Sequence, residues 1–310
     1  MTRAVVFAYH NVGVRCLSVL LDAGLDIALV VTHADNAQEN IWFDSVTELA
    51  QRHQLPCIQP DDPDSPELQA RIRALAPDFL FSFYYRHMLP PALLSIPGRG
   101  ALNMHGSLLP RYRGRVPVNW AIIHGETETG ASLHYMTEKP DAGALVAQTA
   151  VPILRDDLAI DVFHKVVCAA EVTLHRALPL LIEGSAPAQP MDLTQGSYFG
   201  GRKPEDSRID WTLSVHAIHN LIRAVAPPYP SAFTEIDGTP VHILRSRVLD
   251  EIVHANTVFF CDNRGCFVHC HDGTLQILSL TWDGEERSPA QLHQLLGDAV
   301  FTIQPIIHQR

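Results

Sequence analysis

Basic residues are scarce in this 310-residue chain: 23 Lys and Arg stand against 34 Asp and Glu, for a formal net charge of −11. A surface built to hold nucleic acid is normally basic, so no nucleic-acid partner is expected. Charged residues of both signs make up only 18%, and no polar tract is long enough to stay disordered. Long apolar runs are lacking too. None approaches the roughly 18 residues of a membrane span, so no membrane insertion is expected. The first apolar stretch soon meets Tyr9-His-Asn and is too short for a signal peptide. Of the six cysteines, Cys16, Cys57 and Cys168 are scattered among apolar residues, as reduced core thiols are. A cytoplasmic location is the expectation. Cys261, Cys266 and Cys270 stand close to His269 and His271. Their spacing lacks the paired Cys-x2–4-Cys of structural zinc, alternating strand cores explain them more simply, and no metal is expected. The first turn, Ala8-Tyr-His-Asn-Val-Gly13, has no Gly-x-Gly-x-x-Gly, which argues against a nicotinamide enzyme. No internal repeat is present.

What the chain does hold is 46% hydrophobic residues, enough for one large or two medium cores. A short continuous apolar run, Ala4 to Ala8, predicts a buried parallel strand. Apolar residues at helical spacing from Gly13 to Ala23, then a β-branched run from Ile27 to Thr32, complete a βαβ unit. Ser65-Pro-Glu starts a helix with a capping serine and a proline in its first turn. Further strands are expected over Asp78–Phe83, up to Met104, Gly130–Thr137 and Ala144–Pro152, and a long amphipathic helix over Ile160–Glu183. Residues 1–185 thus predict an open, parallel-rich α/β sheet with helices on both faces. Gly184-Ser-Ala-Pro-Ala-Gln-Pro begins a linker by composition, over 186–205. From 206 to 310 the pattern changes to a helix and five short alternating strands, the pattern of a small barrel or sandwich.

The chemistry concentrates in Asn103-Met-His-Gly-Ser-Leu-Leu-Pro110. Asn103 and His105 lie two apart at the end of a buried strand and project from one side of it. Ligands of open α/β sheets bind at the carboxyl ends of strands. An imidazole titrates near neutrality and suits proton transfer, although most of the 17 histidines must be structural. The Asn103 amide can donate to a carbonyl oxygen that becomes an oxyanion, or it can cap its own turn. Asp141, before Ala-Gly, can steady an imidazole or merely stabilise its turn. Arg111, Arg113 and Arg115 form a basic knot in an acidic chain, suited to an anionic ligand or to a solvated loop.

Asn103-x-His105, Ser107-Leu-Leu-Pro110, Tyr112-Arg-Gly114 and Asp141-Ala-Gly143 resemble the signature of formyltransferases that use 10-formyltetrahydrofolate. That family includes methionyl-tRNA formyltransferase, the glycinamide-ribonucleotide enzyme and the amino-sugar N-formyltransferases. Phe7-Ala-Tyr-His10, Thr32-His33, Phe81-Ser-Phe-Tyr-Tyr-Arg-His87, Asn119-Trp120, Gly125-Glu-Thr-Glu-Thr-Gly130 and Arg223-Ala-Val-Ala look like the narrower group of UDP-4-amino-4-deoxy-L-arabinose formyltransferase modules. Those modules belong to bifunctional proteins of lipid A modification and polymyxin resistance.

The resemblance implies a Rossmann-like catalytic domain followed by a small OB-like β-barrel. It implies His105 as proton-transfer catalyst, Asn103 as oxyanion stabiliser, and Asp141 as the group that raises the pKa of His105 and orients it. Folate is implied along His87, Met88 and Leu89 and along Thr137, Glu138, Lys139, Pro140 and Asp141, with Arg115 also binding. Candidate contacts to a nucleotide-linked amino sugar are Tyr9, Arg111, Arg113 and Arg202. Lys139-Pro140 departs from the usual residues of that loop, which nevertheless keeps Asp-Ala-Gly. The decarboxylase that follows the module in the bifunctional proteins is missing, so a separate decarboxylase protein is the expectation. Methionyl-tRNA formyltransferase shares the signature, but the acidic charge counts against it. Another nucleotide-linked amino sugar is a further alternative. A non-catalytic binding module has no use for all three of Asn103, His105 and Asp141.

Overall fold

The computed structural model describes residues 1–36, 38–249 and 257–303. The chain divides into two compact units. The first gathers 1–117, 128–152 and 163–200, and the second 118–127, 153–162 and 201–310.

In chain order the first unit contributes β1 (Arg3–Ala8), α1 (His10–Asp22), β2 (Asp26–Val31), α2 (Val46–Arg52), β3 (Cys57–Ile58), α3 (Pro66–Leu75), β4 (Phe79–Phe83), α4 (Pro91–Leu94), β5 (Ala101–His105) and β6 (Arg113–Gly114). After α5 (Pro117–Ile123) come β7 (Glu128–Tyr135), β8 (Leu145–Pro152), the long α6 (Ala159–Glu183) and β9 (Tyr198–Phe199). Local chemistry explains the helix starts. Ser45 and Ser65 accept hydrogen bonds from Glu48 N and Leu68 N, and Pro66 opens α3.

One seven-stranded sheet runs in the order β3-β2-β1-β4-β5-β7-β8. It is parallel from β3 to β5 and antiparallel across β5-β7-β8. Strand β1 is buried at every position after Arg3, and β4 is buried throughout, because helices cover both faces. On one side Val5, Phe7, Leu29, Val31 and Leu80 pack with Leu68 and Ile72 of α3 and Leu93 of α4. Truncating a buried Phe such as Phe7 to Ala costs about 3–5 kcal/mol at such a site. The parallel half brings the carboxyl ends of β1, β2, β4 and β5 to one edge, while the antiparallel return of β7 carries its own side chains back past β5.

The second unit is built on α7 (Val215–Ala224), β10 (Ala232–Ile236), β11 (Thr239–Leu249), β12 (Val258–Asp262), β13 (Gly265–Cys270), β14 (Gly273–Trp282), β15 (Glu285–Arg287), α8 (Pro289–Leu296) and β16 (Val300–Thr302). Its strands form an antiparallel half-barrel in the order β10-β11-β14-β13-β12-β16, with β15 on β14. The five strands expected from alternation are present, and β15 and β16, only three residues each, carried no readable period. Cys261 and Cys266 face each other across β12 and β13 and form a disulfide. Cys16 is a buried free thiol, whereas Cys168 is exposed on the outward face of α6 and so is not the core thiol its apolar neighbours in sequence suggested. Among the described residues no helix is long and apolar enough to cross a membrane.

Candidate active site

Strand β5 ends at His105, and its pairing with β7 sets Asn103 opposite His134 and His105 opposite Ser132. The turn between β7 and β8 then brings Asp141 up to the same place. Gly143 allows that turn to close, since a Cβ there would lie 2.0 Å from Tyr135 O. The three residues expected to work together are therefore gathered. Asp141 Oδ1 lies 3.6 Å from His105 Nδ1, and the Asn103 amide nitrogen is 3.4 Å from the same oxygen.

Two further groups complete the arrangement, and neither was foreseen. His134, 1% exposed, points Nε2 at Asn103 Nδ2 (3.2 Å) and at Asp141 Oδ1 (3.5 Å). Its Nδ1 faces Tyr135 O at 2.8 Å and must carry hydrogen to donate there. Nε2 thus lies against both the Asn103 amide and the Asp141 carboxylate, and the Asn103 nitrogen is turned toward Asp141 Oδ1. The second group is backbone. Tyr112 O accepts from His105 Nε2 at 2.8 Å, and Gly114 N–H donates to Asp141 Oδ2 at 2.9 Å. The segment that supplies both is pinned by β9. Arg113 N–H and Arg115 N–H donate to Ser197 O and Phe199 O, and Tyr112 N–H donates to the Ser197 hydroxyl. Gly114 has φ +96, and a Cβ on it would lie 2.2 Å from Phe199 O, so the crosspiece requires glycine. Tyr112 and Asp141 also take left-handed backbone angles, φ 56 and 48. Such geometry costs non-glycine residues about 1–2 kcal/mol and persists only where neighbours impose it.

The electrostatics follow from this packing. Burial by itself favours a neutral carboxyl, but the nearby His105, the His134 ring and the Gly114 N–H outweigh it and hold Asp141 well below the usual carboxylate range. Asp141 is thus a fixed anion at the base of the site. Ser107, the residue that a search for a nucleophile would pick, is fully buried and spends its hydroxyl on Arg111 O at 2.7 Å.

The remaining expected residues are distributed as follows. His87 is exposed and meets His33 edge-on, Met88 is 62% exposed, and Leu89 is buried in the core. Thr137, Glu138 and Lys139 are exposed on the loop before Asp141, Pro140 is half-buried, and the Thr137 hydroxyl donates to Lys139 O. Arg115 is exposed. Arg111 lies 5.7 Å from the Tyr112 ring centroid, and Arg113 is buried beside Tyr198. The Tyr9 hydroxyl donates to Asp35 and its ring lies under Arg86, which in turn pairs with Glu39. Burial, then the Asp35 contact, pushes the Tyr9 phenol up to about 12. Arg202 belongs to the second unit, where it lies over Trp120 and donates to Asp206 O. His10 stacks on Phe43 (3.9 Å) and meets Trp42 and Phe163 edge-on. Burial, with Arg86 adding to it, pushes its pKa down to about 3, so it is a neutral ring in an aromatic cluster.

The chain resolves into two family domains at the level of sequence. Residues 4–178 match the formyl transferase domain, and residues 202–293 match the formyl transferase C-terminal domain. The chain belongs to the formyl transferase family. It is accordingly a formyltransferase, and the Asn103, His105 and Asp141 cluster lies inside the matched catalytic domain. Among solved structures, an N-formyltransferase from Helicobacter canadensis, in complex with folinic acid and dTDP-3-aminofucose, is similar with TM-score 0.71 and 20% identity, over 89% of this chain and 98% of that one. WlaRD, a sugar 3N-formyl transferase determined in the presence of dTDP and 5-N-formyl-THF, has TM-score 0.68 and 18% identity, over 92% and 98%. HypX from Aquifex aeolicus, in complex with tetrahydrofolic acid, has TM-score 0.64 and 17% identity, over 97% of this chain and 51% of its own length. Likeness at these identities speaks for a shared fold.

Proposed function

We propose that this formyltransferase moves the formyl group of 10-formyltetrahydrofolate onto the amine of a nucleotide-linked amino sugar, with UDP-4-amino-4-deoxy-L-arabinose as the first candidate acceptor. The observation that carries the reading is the anion Asp141 set between two imidazoles and an amide at the end of β5. The acceptor amine forms a new C–N bond to the formyl carbon, and the bond to folate N10 breaks. Asn103 donates to the developing oxyanion. His105, whose ring is oriented by Asp141 and Tyr112 O, gives a proton to the departing nitrogen and takes up the one that the attacking amine loses. Asp141, the fixed anion beside it, keeps the ring in place during that exchange. Folate is assigned to residues 87–89, Arg115 and the 137–141 loop. The exposed Met88 side chain beside a buried Leu89 offers an apolar surface for a flat heterocycle.

The acceptor is tested by incubating the protein with 10-formyltetrahydrofolate and UDP-4-amino-4-deoxy-L-arabinose, then weighing the nucleotide sugar by mass spectrometry. Gain of one formyl group is expected. Parallel tubes hold a dTDP-linked amino sugar and charged initiator tRNA. Formylation of the tRNA alone would overturn the amino-sugar reading, and preference for the dTDP-linked sugar would overturn the arabinose assignment.

A further inference from the structure

Arg113 is only 8% exposed, yet among the described residues no carboxylate lies within ion-pair reach of it, and its buried Nε makes no hydrogen bond. Other arginines show what this fold does with a guanidinium. Arg223, 5% exposed, donates to Asn220 Oδ1, Leu154 O and Asp157 O. Arg3, Arg15 and Arg86, all more exposed, each hold a carboxylate. Arg113 instead has the ring of Tyr198 beside it, with the centroid 6.0 Å away, and Tyr198 is itself 56% exposed. The backbone on either side of it is held in place. Arg113 N–H is bonded to Ser197 O, and Gly114 N–H to Asp141. A guanidinium whose Nε is buried without a hydrogen bond is costly to keep, and a fold that keeps one gains from it elsewhere.

We propose that Arg113 holds the phosphate oxygens of the acceptor's nucleoside diphosphate. A guanidinium fork matches phosphate in geometry as well as charge. Its position suits that role. Arg113 immediately precedes Gly114, whose amide touches Asp141, and in a nucleotide-linked sugar the diphosphate is separated from the reacting amine by a single sugar ring. The assignment rests on the proposed amino-sugar acceptor and adds to it the residue that binds its anionic end.

The test uses the full chain and its Arg113→Gln and Arg113→Lys variants, with UDP, dTDP and folinic acid as calorimetric probes. Expected for Arg113→Gln is at least about a tenfold loss of UDP or dTDP affinity. Folinic acid affinity should be unchanged, and the ligand-free melting temperature the same or higher, because a buried, unbonded Nε–H has been removed. Arg113→Lys, which keeps the charge without the fork, should bind the nucleotides with intermediate affinity. Equal nucleotide affinity in parent and Arg113→Gln would overturn the assignment. So would an equal loss for folinic acid, which would place a folate carboxylate on Arg113. A lower ligand-free melting temperature in the variant would make Arg113 a structural prop and overturn it too. Failure of the underlying reading looks different. A parent protein that binds neither UDP nor dTDP removes the nucleotide acceptor altogether, whereas a parent that formylates the amino sugar no better than Arg113→Gln removes Arg113 alone.

Discussion

Two histidines, one in each unit, are buried to nearly the same degree: His105 is 6% exposed and His219 is 4% exposed. They differ in what faces their ring nitrogens. His219, on α7, has a hydroxyl at Nδ1 (Ser246 Oγ, 2.9 Å) and a carbonyl at Nε2 (Arg155 O, 3.3 Å). A hydroxyl can give or take, so a neutral ring with one hydrogen satisfies both contacts. His105 has an acceptor on each side, Tyr112 O and the Asp141 carboxylate. An oxygen thus faces each ring nitrogen, one of them an anion, and this is the histidine placed to pass a proton on. Burial, the usual mark of a structural histidine, does not separate the two; the chemistry of the second neighbour does. Asp156, the carboxylate nearest His219, is 54% exposed and screened by water, while Asp141 has a side-chain exposure of 13%.

The largest effect that would break this comparison is on turnover. His105→Ala should lower formyl transfer by about 10²–10⁴-fold, the range of a lost general acid–base group. Single-turnover assays that show a rate near the parent's would remove His105 from the chemistry. A smaller effect is expected for His134→Ala. The variant should lose about tenfold in kcat with little change in KM, a fraction of the cost of deleting an oxyanion donor outright. His134→Gln, whose amide can bond to Asn103 and Asp141, should recover part of it. A change confined to KM would mean that His134 does not act through Asn103.

His219→Gln should leave turnover per folded molecule untouched and cost about 1–3 kcal/mol of stability in urea titration, because two buried polar contacts are broken. Its pH signature sharpens the contrast. Burial, with Arg223 adding to it, lowers the His219 pKa below the ordinary imidazole value despite the Arg155 carbonyl. The unfolded chain then takes up the proton first as pH falls. Stability is therefore full above the ordinary value of about 6.5 and declines as pH drops below it toward the folded-state value. The variant should show a shallower decline. An unchanged slope would show that His219 does not titrate on unfolding.

Legibility followed the range of the interaction. The helix cap at Ser65, the buried run of β1 and the strand period that puts Asn103 and His105 on one side are contacts between near neighbours, and a near-neighbour pattern is written in order along the chain. His134 could not be found this way, since nothing in its own surroundings tells it from the other histidines. It matters because antiparallel pairing sets it opposite Asn103, and a one-residue slip in that register would turn it to the other face of the sheet. Tyr112 O and Gly114 N–H were equally hidden, because every residue carries such groups and only the pairing of β6 with β9, two residues each, aims them.

By itself, then, the amino-acid sequence determined an α/β sheet with a second β-rich unit, the amide and imidazole at one strand end, and the turn that carries Asp141. Tertiary structure alone decided which histidine meets that carboxylate, which backbone groups hold the pair, and which arginine is buried away from every described carboxylate. The physical reason is that strand register and chain crossings bring together residues far apart in the chain, and a proton-handling site exists only once its charged and polar groups are close enough to outweigh the cost of burying them.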